Sequence, residues 1–461
     1  MKRHRLLLCL LLVVGLVAAA CGRDDDETGQ EQESTDTTSA ADEACDGVTL
    51  EATDIGVTED TITIQVMADT GSPLRPGLFQ GNVDAINGFA DYINENGGIG
   101  CRELVVEEWD SKLTPDEGKN GQINACNSAL AAVGGNSLFN PDVSELQTCP
   151  DQEGNPIGYP NISALANDIN EQCALNSFII QGIAETCNDD GSPPTGQRDL
   201  TAFVGNIQYY QTIEPDLVGL YLVPGDLPTT VQSATYQIEA QAQEGVEWVG
   251  TVKVSGRDEQ SAYTPRVQLA RNENANYVYG GSDSTTFTNM RREAAAQGLD
   301  NIAVWACSLA CYNDDFRAAS ADVQDTYVWM QFLPFEEEGS NDELDNYLSH
   351  VDVPDSFGAQ AWMAGVLFQD AVNQIVEDEG PNAITRQKML DVLNAIDSFD
   401  ANGWMGAKDP KGGFSDCMVI LKMGPDGFER QTPSEEGTLD CDPSYLITTN
   451  LDPAVEAEKI Q

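Results

Sequence analysis

The chain has 461 residues, of which 23 are Lys or Arg, 76 are Asp or Glu and 2 are His, giving a net charge of −53 at neutral pH. A surface this negative repels nucleic acid and anionic lipid headgroups and excludes both as partners. The length exceeds the roughly 250–300 residues at which a single core stops growing, so two domains are expected, and no internal repeat stands out.

The first elements in the chain set the compartment. Lys2, Arg3 and Arg5 precede an apolar run from Leu6 to Ala20, too short to span a bilayer and ending in small residues at Val17-Ala18-Ala19-Ala20-Cys21. Residues 1–20 are expected to be a secretory signal. The exit resembles the lipobox of bacterial lipoproteins, in which the cysteine, here Cys21, is lipidated and becomes the new N-terminus; a plain signal peptide with an incidental Cys21 is the rival reading. Residues 21–54 are polar and acidic over most of their length, unable to bury enough surface to order themselves, and are expected to be a disordered tether. Removal of Lys2, Arg3 and Arg5 takes the charge from −53 to −56.

Past the tether, strand and helix patterns alternate. Thr61–Ala68 alternates as a strand, and Asn82–Asn96 carries Val83, Ile86, Ala90 and Ile93 at helical spacing before Gly97-Gly98 ends it. A strand follows at Leu104–Val106, a helix at Asn120–Ala129 and a strand at Ala131–Gly134. The rhythm resumes with a strand at Val218–Val223, a helix at Thr230–Gln243, a strand at Tyr277–Tyr279 and a helix at Asn289–Gln297. Strands at Ile302–Trp305 and Tyr327–Met330 precede helices at Gln360–Glu377 and Thr385–Ile396. Such alternation implies parallel sheets flanked by helices, with any ligand held at the carboxyl ends of the strands.

Several chemistries lack their residues. His4 falls in the signal, so His350 is the single histidine of the mature chain; there is no Gly-x-Ser-x-Gly turn, no phosphate loop and no Gly-x-Gly-x-x-Gly fingerprint. The protein is therefore expected not to be an enzyme, and to use no cofactor and no metal. Ten of the twelve cysteines remain once Cys9 and Cys21 are set aside, an even number that favours disulfides in an exported protein. Cys307 with Cys311 is expected from proximity, Cys417 with Cys441 because they flank a Gly/Pro-rich segment, and Cys101 with Cys126 is the preferred pairing among the other six.

The segment Asp69-Thr70-Gly71-Ser72-Pro73, followed by a helix ending in Tyr92-Ile93-Asn94-Glu95-Asn96-Gly97-Gly98-Ile99, resembles type I periplasmic binding proteins, and among them the leucine/isoleucine/valine-binding class of ABC transporters. Val133-Gly134-Gly135-Asn136-Ser137, Ser261-Ala262-Tyr263-Thr264, Tyr279-Gly280-Gly281-Ser282, Pro354-Asp355-Ser356-Phe357-Gly358 and Asp400-Ala401-Asn402-Gly403-Trp404-Met405-Gly406 extend the resemblance over roughly residues 55–450. It implies two Rossmann-like lobes joined by a three-segment hinge and closing on a small solute: lobe 1 from 55–190 and 335–400, lobe 2 from 191–334 and 401–450, with a tail at 451–461. In lobe 1 it marks Gly71, Ser72, Asn136, Ser137 and Asn161 as candidate ligand contacts, Asn136 and Ser137 as carboxylate donors and Asn161 at a strand end. In lobe 2 it marks Asp226, Ser282, Asp283 and Ser308, the last where relatives often place an acidic group. The resemblance further implies ABC permease subunits as partners and a lipid anchor in the cell membrane outside the cytoplasm. The function implied is capture of a small polar solute, an amino acid or a related amide or acid, for uptake; a ligand-sensing receptor of the same fold is the alternative.

Overall fold

A computed structural model describes residues 45, 47–71, 76–182 and 187–461. The signal, Cys21, most of the tether and Ser72 lie outside the described residues.

The expected alternation is present and builds two separate sheets. The first contains β1 (Thr61–Ala68), β2 (Glu103–Asp110), β3 (Ala131–Val133), β4 (Asn161–Ala166) and β5 (Ser177–Gly182), all parallel, in the order β2-β1-β3-β4-β5. Helices α1 (Gln80–Glu95) and α2 (Pro115–Ser128) alternate with its first strands. Ile62, Ile64 and Val66 of β1 are fully buried, and so is Gln65 on the opposite face, as befits a parallel strand covered on both sides. Gly97 and Gly98 end α1 with φ of 100° and 88°, which lets the Gly98 N–H close on the Ile93 carbonyl at 2.9 Å. The second helix starts five residues earlier than its apolar spacing suggests. Thr114 caps it, its Oγ1 accepting from the Glu117 N–H, and Pro115 occupies the first turn, where a missing N–H costs nothing.

The second sheet takes β7 (Val218–Pro224), β8 (Glu247–Val254), β9 (Tyr277–Gly280), β10 (Val304–Cys307), β11 (Thr326–Met330), β12 (Cys417–Met423) and β13 (Phe428–Thr432), in the order β13-β12-β11-β10-β9-β7-β8. Its members from β8 to β11 pair in parallel, whereas β12 and β13 are antiparallel additions. Helices α3 (Pro228–Gln243), α4 (Thr264–Asn272) and α5 (Ser284–Ala296) connect the parallel strands. Between the sheets in sequence, β6 (Arg198–Phe203) pairs antiparallel with the late strand β15 (Leu446–Leu451), and the short β14 (Asp440–Cys441) pairs with β12.

The chain passes between the two sheets three times. It leaves the first after β5. It returns after β11 to form α6 (Asp342–His350), α7 (Ser356–Glu379) and α8 (Arg386–Ala395), and it crosses again to enter β12. The helix α7 packs against α1 and the first sheet and is buried on nearly every side through Phe368, which explains its almost continuous apolar sequence. Phe89 of α1 meets Trp362 edge-on at 5.2 Å, and the Trp362 indole donates to Glu343 Oε2 at 3.2 Å. From α8, the buried Arg386 guanidinium donates to the carbonyls of Ala125, Cys126 and Ala129. These carbonyls lie at the negative end of α2, where that of Ala125 also accepts the Ala129 N–H at 3.0 Å, so the cation closes a helix end.

All ten described cysteines are paired, as Cys45–Cys101, Cys126–Cys149, Cys173–Cys187, Cys307–Cys311 and Cys417–Cys441. The last two are the pairs expected from the sequence. The preferred pairing of Cys101 with Cys126 is corrected: Cys101 lies in the turn leading into β2, whereas Cys126 sits in the last turn of α2, beside the segment that carries Cys149. Nearness in sequence did not reveal that difference. No helix among the described residues is long and apolar enough to cross a membrane.

Candidate functional site

A cavity of about 340 Å³ lies where the carboxyl ends of both sheets converge, within the range of small-molecule sites, roughly 300–1,000 Å³. The first sheet contributes the residues just beyond its strands: Leu78 and Phe79 after β1, Leu113 after β2, Leu138 after β3, Asn167 after β4, and Ile180 to Gly182 of β5. The start of α7 adds Phe357, Gln360 and Met363. From the second sheet come Pro224 at the end of β7 with Asp226 and Leu227 beyond it, Gly281 to Asp283 after β9, and Ser308 to Ala310 after β10. Tyr236 of α3, Tyr279 of β9 and the run Trp329–Phe332 complete an aromatic wall, and the third crossing supplies Met405 and Phe414.

Buried Asp69, at the end of β1, sets part of this wall. Its Oδ2 accepts the Leu138 N–H at 2.8 Å, while Oδ1 accepts the Leu113 N–H and the Ser111 hydroxyl, each at 2.7 Å. One carboxylate thus joins three post-strand loops and presents Leu113 and Leu138 to the cavity. Burial raises its pKa, and the three donated hydrogen bonds oppose that rise.

The four lobe 2 candidates line the cavity. Asp283 caps α5, its Oδ1 accepting from the N–H groups of Thr285 and Thr286 at 2.8 and 3.0 Å, and this cap explains why α5 starts at Ser284 rather than Asn289. The Ser308 hydroxyl donates to the Ser282 carbonyl, and the Thr286 hydroxyl contacts the Ser282 hydroxyl at 2.8 Å, so the three residues form one polar corner. Asp226 stands apart and accepts from Ser255 Oγ and the Gly256 N–H.

The described lobe 1 candidates lie elsewhere. The Gly71 N–H donates to Asp110 Oδ1, outside the cavity lining. Asn136, Ser137 and Asn161 turn into a second, enclosed space of about 10 Å³, room for about one water molecule. Asn161 opens β4 at its amino end, and its side chain donates to Glu171 Oε1 at 3.1 Å and Ser177 Oγ at 3.2 Å. Burial pushes the Glu171 carboxyl up to about 7. Both side-chain atoms of Asn136, the Ser137 hydroxyl and Glu171 Oε2 have no hydrogen-bond partner there.

Gln181 and Gln360 are cavity residues that the sequence motifs did not mark. The Gln360 Nε2 donates to Gln181 Oε1, and Gln360 Oε1 is enclosed without a partner. Glutamine on a buried helix face has no sequence signature, whereas the Gly-rich turns do.

Two lobes of parallel sheet, three crossings between them and one cavity at their shared carboxyl edges define the type I periplasmic binding protein fold. Residues 219–427 match the family model described as periplasmic binding protein. No curated protein matches the chain by sequence. Among solved structures, the chain is similar to a fatty acid ABC transporter substrate-binding protein from Thermomonospora curvata, at 15% identity and a TM-score of 0.59, covering 87% of this chain and 96% of that one. It is similar to an ABC transporter solute-binding protein from R. palustris in complex with benzoate, at 14% identity and a TM-score of 0.60, covering 83% and 98%. It is also similar to a branched-chain amino acid transporter substrate-binding protein from Streptococcus pneumoniae in complex with isoleucine, at 14% identity and a TM-score of 0.57, covering 83% and 99%.

Proposed function

We propose that the protein is the extracytoplasmic solute-binding component of an ABC uptake transporter, held at the membrane by lipid on Cys21, and that it captures a small organic solute without chemical change. The observation that carries this reading is the cavity at the junction of two sheets, lined from both and bridged by three crossings. Residues 55–190 with 335–400, and 191–334 with 401–450, would move as the two closing bodies, with the crossings as the hinge. Hydrogen bonds already pass between them, from Thr229 Oγ1 to the Leu138 carbonyl at 3.3 Å and from Ser356 Oγ to the Leu309 carbonyl at 3.1 Å. A solute touching both lobes stabilises the closed form by its differential affinity, and permease subunits would read that form. The bound isoleucine and benzoate of the similar structures support a solute in the size range of an amino acid or a related amide or acid.

The test has three readings. Small molecules released from freshly purified protein are identified by mass spectrometry, and each is added back while small-angle scattering follows the radius of gyration. Deletion of the gene is then expected to abolish uptake of the same compound. Solute binding with neither compaction nor a role in uptake would overturn the transport reading. For the anchor, Cys21→Ala is expected to release the protein from the membrane fraction, and unchanged attachment would refute lipidation.

A further inference from the structure

The cavity wall is apolar on both lobes: Phe79, Leu138 and Phe357 on one, Tyr236, Trp329 and Phe332 on the other. No Lys, Arg or His is among the described residues that line it, while two carboxylates, Asp226 and Asp283, are. An anionic group entering this space gives up its hydration and meets no cation among the described residues, which makes its burial unfavourable. Helix starts are the usual substitute for a cation, yet two of those beside the cavity are already capped by acidic side chains. Asp283 caps α5 and Asp355 caps α7 by accepting the Gly358 N–H, while α3 has no side-chain cap and opens at Pro228, which has no N–H. The chain's charge of −53 adds a long-range field that repels anions. Against this stand two unmet demands in the wall, the enclosed Gln360 Oε1, an acceptor that calls for a donor, and Trp329 Nε1, a donor that a neutral acceptor such as an amide carbonyl would meet.

We infer that the cavity selects solutes with a compact apolar body, a neutral N–H or O–H donor and no carboxylate, such as aliphatic or aromatic primary amides and alcohols. The donor is met by the Gln181–Gln360 pair, and the body by the aromatic wall. This inference rests on the solute-capture reading above and narrows it, placing amides ahead of acids and zwitterionic amino acids.

Calorimetric titration with shape-matched probes tests it: benzamide, benzyl alcohol, benzoate and phenylalanine in one set, isovaleramide, isovalerate and leucine in the other. In at least one set the uncharged member is expected to bind at least tenfold more tightly than its carboxylate and its amino acid. Gln360→Leu, checked by thermal melt for a retained fold, is expected to weaken amide binding by about tenfold. The inference is overturned if a carboxylate or amino acid binds as tightly as its uncharged counterpart, if no probe binds, or if Gln360→Leu leaves amide affinity unchanged. The two readings fail separately. An amino acid that compacts the protein in small-angle scattering refutes the selectivity and leaves capture standing. Amides that bind without any compaction or uptake refute the transport role and leave the selectivity standing.

Discussion

The third crossing is stitched to the first sheet by Lys408, and replacing it with Met gives a pH signature that can be worked out in advance. Lys408 is buried, and its Nζ donates to the carbonyls of Ile179 at 2.7 Å and Ile180 at 3.1 Å, while the Ile179 N–H donates to the Pro410 carbonyl at 2.8 Å. With no carboxylate accepting from the ammonium, burial lowers its pKa from 10.5 to about 7, and neighbouring Asp409 only partly opposes that fall. Between these values the unfolded chain holds a proton that the folded chain does not, so stability rises with pH across this window. A fall from 10.5 to about 7 corresponds to roughly 5 kcal/mol, at about 1.4 kcal/mol per pH unit. Lys408→Met removes the charge and leaves two carbonyls without their donor, a loss of about 1–3 kcal/mol each that does not vary with pH. Urea unfolding of both proteins from pH 6 to pH 11 separates the two effects. The stability of the wild type relative to the variant should be flat below about pH 7, climb by up to roughly 5 kcal/mol to pH 10.5, and then level off. A difference that stays constant or falls over that interval would refute the buried, unpaired ammonium.

Glu171 should show the opposite slope: its folded pKa of about 7 lies above the usual 4.5, so its contribution is full below 4.5 and is lost as pH rises through 7. Glu171→Gln should flatten that part of the stability curve, and an unchanged slope would place the titration elsewhere. Asp283→Ala should cost about 1 kcal/mol through the lost cap, with Asp283→Asn close to wild type because Asn caps equally well; equal losses in the two, by thermal melt, would show that the charge rather than the cap matters. Peptide mapping under non-reducing conditions should recover Cys45 joined to Cys101 and Cys126 joined to Cys149, and a Cys101–Cys126 peptide would contradict the fold around α2.

How far the sequence reached depended on whether a feature is local. The β1 strand was read to its exact ends because alternation is a property of eight consecutive residues. The starts of α2 and α5 were missed because caps at Thr114 and Asp283, rather than apolar spacing, decide them. Of the strands that escaped notice, β8 alternates poorly and half-buried residues dominate it, and the antiparallel additions β12 and β13 break the βα rhythm that made the others visible. In the candidate site, the post-strand loops could be found from Gly-rich turns, but the direction of each side chain could not. Gly134, with φ of 70°, turns the loop after β3 so that Asn136 and Ser137 face inward to the small polar space while Leu138, one residue on, reaches the large cavity. A single backbone rotation therefore separates the residue types that the sequence motif had grouped together. Gln181 and Gln360 lie 179 residues apart in the chain, and only the packing of α7 on β5 joins them.

The bond between Cys45 and Cys101 has a mechanical consequence. Noncovalent attachment at the end of a chain can be peeled away one contact at a time, and the force needed is that of the weakest contact. Here a pull transmitted along the residues before Cys45 is delivered through a covalent link to Cys101, in the turn that leads into β2. The load thus enters beside a sheet edge already paired along the whole of β1, and it is shared among parallel hydrogen bonds rather than borne by one. Tension applied there would be carried in sulfur and carbon, with the residues between 45 and 101 shielded from unravelling.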